Sequence, residues 1–531
     1  MMLSIKHNLP GLLLSALLLT ACGGGGNGST TDTSGGTIDT GANNGGLAWV
    51  EGEFIPYAQL ANQCVADQSG SELSEKLWLR SWSNDTYLWY DEIVDTDPAP
   101  YTVPEYFELL KTNELSASGN IKDKFHYAMS SAEWEQLNQA GASLGYGFNL
   151  YLQQASAGMD RKVTVTFSEP NSPAALASIG RGAVLVSVDG VSIKDANDSD
   201  SINILNAGLF PSVSGKQTDF GVLDLGATEI RNVTLTATSV VSTPVPIASA
   251  IPTFSGNVGY IQFNAHIATA ERQLVDAING LKNSDVQDLV LDLRYNGGGL
   301  LALASQLGYM IAGEQATQNR TFERLTFNDK YPNRDPVTGE ALTPIPFIDQ
   351  SIGFDPNTLA QGEALPSLNL QRVFVLTTNN TCSASEALMN GLRGIDIDVI
   401  QIGGTSCGKP YGFYPTPNCD TTYFSVQFKG VNDKGFGDYS DGFVPSSNPT
   451  LASDLPGCVL NDDFSQPLGN INERLLSAAL YYRDNNRCPA LSTSSMGRVA
   501  AQAPFIDKGF TLEDTRVQSK LRNNRVWPTG L

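Results

Sequence analysis

The spacing of apolar residues changes character several times along the chain. Leu9 to Leu19 is one short apolar run, and 23–46 has almost no apolar side chains. Between about 60 and 138 the spacing is helical: Trp78 and Trp82 stand four apart and share a face, with Tyr87, Trp89 and Tyr90 close behind. His126 near the end of this stretch reads as structural. From about 139 to 245 the period shortens to two. Val163-Thr164-Val165-Thr166-Phe167 alternates as a strand, Ser172-Pro173-Ala174-Ala175-Leu176 opens a short helix, and Val184 to Val188 runs into an Asp189-Gly190 turn. From 246 to 490 strand and helix alternate. Val258 to Phe263 predicts a strand, 269–282 a helix, and Asp288 to Leu293 a buried strand. A Gly-rich turn at 296–299 and a helix to about 312 follow; later come a Val373–Thr377 strand, a helix from near Ser383 and an Asp398–Ile402 strand. Repeated βα units with nearly continuous apolar strands predict an α/β core with a covered sheet. The whole reads as a multidomain chain, α+β followed by α/β, and 531 residues call for two or three domains.

Composition narrows the possibilities. With 41% hydrophobic and 17% charged residues the chain is globular, not a coiled coil, a collagen or a polytopic membrane protein. Lys and Arg number 33 against 55 Asp and Glu, a net charge of −22 that repels phosphate backbones and excludes a nucleic-acid partner. Lys6 and the short apolar run after it form a signal peptide over 1–22, too short to span a bilayer. Its end, Leu19-Thr20-Ala21-Cys22, resembles the lipobox of bacterial lipoproteins, which implies acylation of Cys22 and a membrane contact through a lipid anchor. Gly rather than Asp follows, which in a Gram-negative cell points to the outer membrane, facing the periplasm or the cell surface. Residues 23–59 are read as a tether; the Gly-rich part reaches about 25–30 Å. Export puts the remaining six cysteines in an oxidising compartment, where disulfides form. Sequence proximity pairs Cys407 with Cys419 and Cys458 with Cys488. No CxxC or His cluster offers a metal site, so neither metal nor cofactor is expected.

Leu144-Gly145-Tyr146-Gly147-Phe148, the Ser-Pro-Ala-Ala helix and the Val-Asp-Gly turn, in that order, resemble a PDZ domain over 139–245. The resemblance implies that backbone N–H groups of Tyr146, Gly147 and Phe148 receive a peptide's terminal carboxylate, the ligand adding as a strand. Glycine is expected at 147 because a Cβ would block that approach.

Chemistry concentrates at strand ends. In Thr381-Cys382-Ser383-Ala384-Ser385-Glu386 a serine stands where a helix begins, and a helix N-terminus stabilises developing negative charge. The N–H of Ala384 could be one oxyanion donor, and Asn296-Gly297-Gly298-Gly299 could supply another. Ser383-x-x-Glu386 is equally a helix capping box. A serine nucleophile needs a base. His266 follows a strand but sits in no Gly-rich turn. Lys409 closes Gly403-Gly404-Thr405-Ser406-Cys407-Gly408-Lys409; its pKa would have to fall from about 10.4 to near 7–8, a cost of roughly 3–4 kcal/mol that burial can impose.

Asp292-Leu293-Arg294-Tyr295-Asn296-Gly297-Gly298-Gly299, Ser383-Ala384-Ser385-Glu386 and Gly408-Lys409 together resemble the C-terminal processing (tail-specific) serine peptidases, over about 60–490. The resemblance implies an N-terminal helical domain (60–138), a PDZ-like domain and a crotonase/ClpP-like catalytic core (246–490), leaving 491–531 as an extension. It implies Ser383 as nucleophile, with Ser385 the alternative, Lys409 as base, Glu386 as orienting residue, and Ala384 and Gly298 N–H groups as the oxyanion hole. The substrates implied are polypeptides with free C-termini. Three positions depart from the family pattern: Phe413 stands where some members carry Gln, Gly394 where others carry Asp, and Pro410 where Gly commonly follows the Lys. The competing readings are a non-catalytic binding protein on the same fold and a Ser–His hydrolase using His266.

Overall fold

A computed structural model describes residues 47–490, except 117 and 155–159 and the side chains of 136–140, together with Leu512. Seven strands form the central sheet, in the order Ile247–Ile251, Asn257–Gln262, Val286–Asp292, Arg372–Thr377, Asp398–Gly403, Asp454–Val459 and Val444–Ser446. All neighbours are parallel except the first pair. The crossovers from Asn257–Gln262 to Val286–Asp292, on to Arg372–Thr377 and on to Asp398–Gly403 each carry a helix, as such pairing demands. Only the short segment 447–453 links the parallel pair Val444–Ser446 and Asp454–Val459. Leu289 and Leu291 face one apolar cluster with helices Ala270–Asn283, Leu301–Ala312 and Ala384–Gly394. Val290 between them faces another, with Leu475 and Leu476 of helix Arg474–Asn485. Both faces are therefore covered, which is why these strands read as unbroken apolar runs.

The N-terminal region is helical as predicted. Helix Glu72–Thr86 starts at Ser71, whose hydroxyl accepts from Ser74 N–H, and Val103–Leu109 starts on a Thr102/Glu105 capping box. The Trp78 and Trp82 rings stack at 5.4 Å. This region is bound to the core rather than merely beside it. Strand Tyr127–Ser130 pairs with Thr421–Phe424, and Cys64 is bridged to Cys419. His126 is buried, stacked on Phe107 and hydrogen-bonded to Phe107 O and Ser425 Oγ, the surroundings of a packing residue.

Residues 142–241 build a separate β-rich unit with its own apolar cluster. Its sheet runs Phe148–Gln153, Lys162–Ser168, Val184–Val188, Gln217–Leu223 and Arg231–Thr236, so Phe148–Gln153 lies at an edge. Helix Ser199–Leu209, begun by an Asp198 cap, packs on it and was not foreseen. Gly147 adopts φ +88°, and a Cβ there would lie 2.1 Å from Ser172 Cβ. The backbone conformation and the packing of Ser172 therefore demand glycine by themselves. The Tyr146 and Phe148 side chains lie in the core, the Tyr146 hydroxyl donating to Thr218 Oγ1 at 2.7 Å.

The expected Cys407–Cys419 bridge is replaced by Cys64–Cys419 and Cys382–Cys407, while Cys458–Cys488 forms as expected. Proximity in sequence failed because Cys419 lies in the turn between strands Thr416–Asn418 and Thr421–Phe424, whose sheet is shared with the N-terminal region. The signal peptide, Cys22, residues 23–46 of the tether and the extension other than Leu512 lie outside the described residues. The end of the expected tether is packed on the helical region through Trp49, Ile55 and Tyr57. Among the described residues no helix is long and apolar enough to cross a membrane.

Candidate active site

Ser383 ends the connection from strand Arg372–Thr377 and sits immediately before helix Ala384–Gly394. Its backbone takes φ +56°, ψ −111°, a conformation costing a non-glycine residue about 1–3 kcal/mol, of the kind that clusters at functional sites. The expected capping box between Ser383 and Glu386 is in place, without a full hydrogen bond to the Ser383 hydroxyl. Glu386 reaches back to accept from Ser383 N–H at 2.9 Å, but Ser383 Oγ is buried and makes no hydrogen bond. A buried hydroxyl left without a partner costs about 1–3 kcal/mol. Ser385, the alternative nucleophile, is committed: its hydroxyl donates to Asn296 O at 3.1 Å.

Lys409 is completely buried, its Nζ 4.3 Å from the centre of the Phe413 ring and 4.9 Å from that of Phe125. Phe413, one of the departures from the family pattern, thus faces the amine directly. Phe125 comes from the N-terminal region, so that region completes the wall around Lys409. Gly408 before it takes φ +83°, and a Cβ would fall 2.2 Å from Ser440 O. Only glycine turns the chain there.

Glu386 joins the two turns. One oxygen accepts from Ser383 N–H and from Lys409 N–H at 2.8 Å; the other accepts from Gly408 N–H at 2.8 Å and Ser406 Oγ at 2.5 Å. Burial raises its pKa, and these four donors oppose the rise. Its contacts with Lys409 run through the backbone, so it acts on position. The Cys382–Cys407 bridge ties the same two turns covalently, with Cα atoms 5.1 Å apart.

The Gly-rich turn is packed against the serine turn. Asn296 O accepts from Cys382 N–H at 3.1 Å as well as from Ser385. Asn296 Oδ1 accepts from Gly298 N–H at 2.8 Å and lies 3.0 Å from His266 Nδ1. The donor expected of Gly298 is therefore engaged in this conformation, whereas Ala384 N–H has no partner among the described residues. His266 pairs with the same turn through its backbone: its N–H donates to Gly298 O and its carbonyl accepts from Leu300 N–H. Its ring is fully buried, and burial lowers its pKa to about 4.

Sequence reasoning missed Asn296, Ser406, the Cys382–Cys407 bridge and the network around Arg294. That guanidinium is fully buried against Asp292, Asp462 and Glu473. Asp462 also pairs with Arg181 of the β-rich unit and accepts from the Tyr295 hydroxyl. The partners lie up to 281 residues apart. An Arg two residues beyond an apolar strand that ends in Asp292 was the available signal.

A strained serine before a helix, a buried lysine on the next crossover and a glycine turn packed beside the serine, on a covered α/β sheet, are the features of a serine-peptidase class of core. Residues 257–432 match the model of peptidase family S41, so the chain carries an S41 domain. It is 28% identical over 184 residues to carboxyl-terminal-processing peptidase 3, chloroplastic, of Arabidopsis thaliana, covering 33% of this chain and 34% of that protein. To the carboxy-terminal processing protease CtpA of Bacillus subtilis it is 26% identical over 146 residues, 27% of this chain and 29% of the relative. The chain spans about a third of the length of these curated relatives. A solved Bacteroides fragilis structure assigned to the S41 proteases superposes with TM-score 0.56 at 24% identity, over 77% of this chain and 97% of that one, and shares the multidomain α/β fold.

Proposed function

We propose that the chain is a serine endopeptidase in which Ser383 attacks the scissile carbonyl and Lys409 takes its proton. The observation that carries this reading is the unpartnered, buried Ser383 hydroxyl on a strained turn, held to the Lys409 turn by Glu386. A base must be neutral, and two effects on Lys409 oppose each other. Full burial of an amine can depress its pKa by up to 3–5 units, about 4–7 kcal/mol. Two aromatic faces favour the ammonium by about 0.5–2 kcal/mol each. This reading requires the neutral amine. Ala384 N–H supports the oxyanion; Gly298 N–H joins it once Asn296 Oδ1 lets go. Lys409 returns the proton to the amine as the C–N bond breaks, and water, deprotonated in turn by Lys409, then hydrolyses the acyl-enzyme. Substrates in this reading are exported polypeptides whose C-termini dock on the β-rich unit, a PDZ-like module with Tyr146, Gly147 and Phe148 at its carboxylate loop. A lipid on Cys22 holds the enzyme at the cell envelope.

Cleavage of an unfolded protein substrate is expected to vanish in Ser383→Ala and Lys409→Ala, with native circular dichroism retained. Cleavage by both variants overturns the assignment. The engaged Gly298 N–H favours the second reading, a non-catalytic binding protein; labelling of Ser383 by a serine-reactive acylating probe decides between them.

A further inference from the structure

The three disulfides stand in different places. Cys64–Cys419 fastens the N-terminal region to the core, and Cys458–Cys488 fastens strand Asp454–Val459 to the chain just after helix Arg474–Asn485. Cys382–Cys407 joins the residue before Ser383 to the residue two before Lys409. The serine and lysine turns are therefore tied twice, by this bridge and by the Glu386 carboxylate. The two ties meet. Cys407 Sγ lies 3.5 Å from Glu386 Oε2, the same oxygen that accepts from Ser383 N–H and Lys409 N–H. Cys382 is completely buried whereas Cys407 is partly exposed, so an incoming thiolate meets the Cys407 side of the bridge.

We propose that the Cys382–Cys407 bridge is a thiol-responsive clamp on the two turns, and that reduction by a dithiol switches the site off. Its effect on cleavage rests on Ser383 and Lys409 acting as nucleophile and base; the coupling of the turns does not. Attack of a dithiol's thiolate on Cys407 Sγ breaks the bridge, forms a mixed disulfide and releases Cys382 as a thiolate, which takes up a proton. The reductant's second thiolate then displaces Cys407, which is protonated in turn. The reductant departs as a disulfide, its electron pair left on the cysteines. The joint loosens in two ways. The covalent limit on the separation of the turns is gone, and a new S–H donor stands beside Glu386 Oε2, competing with the two backbone N–H groups it holds.

The test compares the oxidised full chain with the same protein reduced by dithiothreitol under native conditions and with Cys382→Ser/Cys407→Ser, whose other bridges remain. Cleavage of an unfolded protein substrate and hydrogen exchange of the Ser383, Gly408 and Lys409 amides are followed. In the reduced protein and the double variant kcat is expected to fall about 10–100-fold with KM held, and those amides to exchange about tenfold faster. Re-oxidation restores the wild type alone. Unchanged kcat and exchange in the folded variant overturn the proposal. So does a loss on adding dithiothreitol to the double variant as large as that of the wild type, which assigns the effect to another bridge. Loss of native circular dichroism in both the reduced protein and the variant also overturns it, because the bridge then supports the whole fold. Faster exchange without any cleavage by the oxidised protein refutes the peptidase reading and leaves the clamp standing.

Discussion

The imidazole of His266 is sealed inside the protein with Nδ1 against Asn296 and Nε2 making no hydrogen bond. Burial lowers its pKa from 6.5 to about 4. The unfolded chain therefore binds a proton between those values that the folded chain refuses, and stability falls as pH falls through that window. The full effect of this one group is about 3 kcal/mol. Burial lowers the pKa of His126 too, which adds in the same direction. Urea unfolding at pH 6.5 and pH 4 is expected to show a smaller acid loss in His266→Gln than in the wild type, by about 3 kcal/mol. An equal loss in both proteins would mean that the ring is already protonated, or not buried, in solution. At the same scale, Ser383 and Ser385 differ in one respect that residue type could not show: one hydroxyl has an acceptor and the other has none.

Between elements, the decisive joint is the one from helix Ala384–Gly394 to the turn before strand Tyr411–Gly412. Glu386 makes it with four hydrogen bonds from one carboxylate. Glutamine has the same shape but only one acceptor oxygen, and its amide N–H₂ would face donors. Bonds to a charged group are worth about 1.5–3 kcal/mol each, so Glu386→Gln loses several of them. The serine and lysine turns then separate or shift. In the peptidase reading kcat falls about 10–100-fold while KM holds, because Glu386 touches the chain rather than the substrate. Rescue of kcat at unchanged KM by Glu386→Asp is not expected, since the shorter side chain cannot span both turns. A variant with full kcat would remove Glu386 from the site.

Over the whole molecule, the N-terminal region, the β-rich unit and the core are joined by long-range links. Cys64–Cys419 closes 355 residues, and the Arg181–Asp462–Arg294 network ties the β-rich unit to the end of a core strand. By loop entropy a bridge this long stabilises by up to about 5 kcal/mol. The double variant Cys64→Ser/Cys419→Ser is expected to lower the denaturant midpoint markedly. Because Phe125 of the N-terminal region lines Lys409, it is expected to lose cleavage activity at denaturant concentrations where the wild type retains it. Coincident loss of activity and structure at an unchanged midpoint would show that the bridge carries no load.

The order of elements was legible in the sequence because local periodicity reports burial directly. Predicted strands at Val184 to Val188 and Val373 to Thr377 lie within a residue of those observed, Val184–Val188 and Arg372–Thr377. The Ser383, Glu386 and Lys409 motifs were legible too, since their turn chemistry is local. What the sequence could not contain was partnership across distance. It paired Cys407 with the nearer Cys419, gave no sign that Ser172 packs against Gly147, and left Gly298 N–H open when Asn296 takes it. Each of these depends on which chain segment arrives next to which after folding. Periodicity and turn signals are properties of neighbours along the chain; disulfides, close backbone approach and hydrogen-bond competition are properties of neighbours in space.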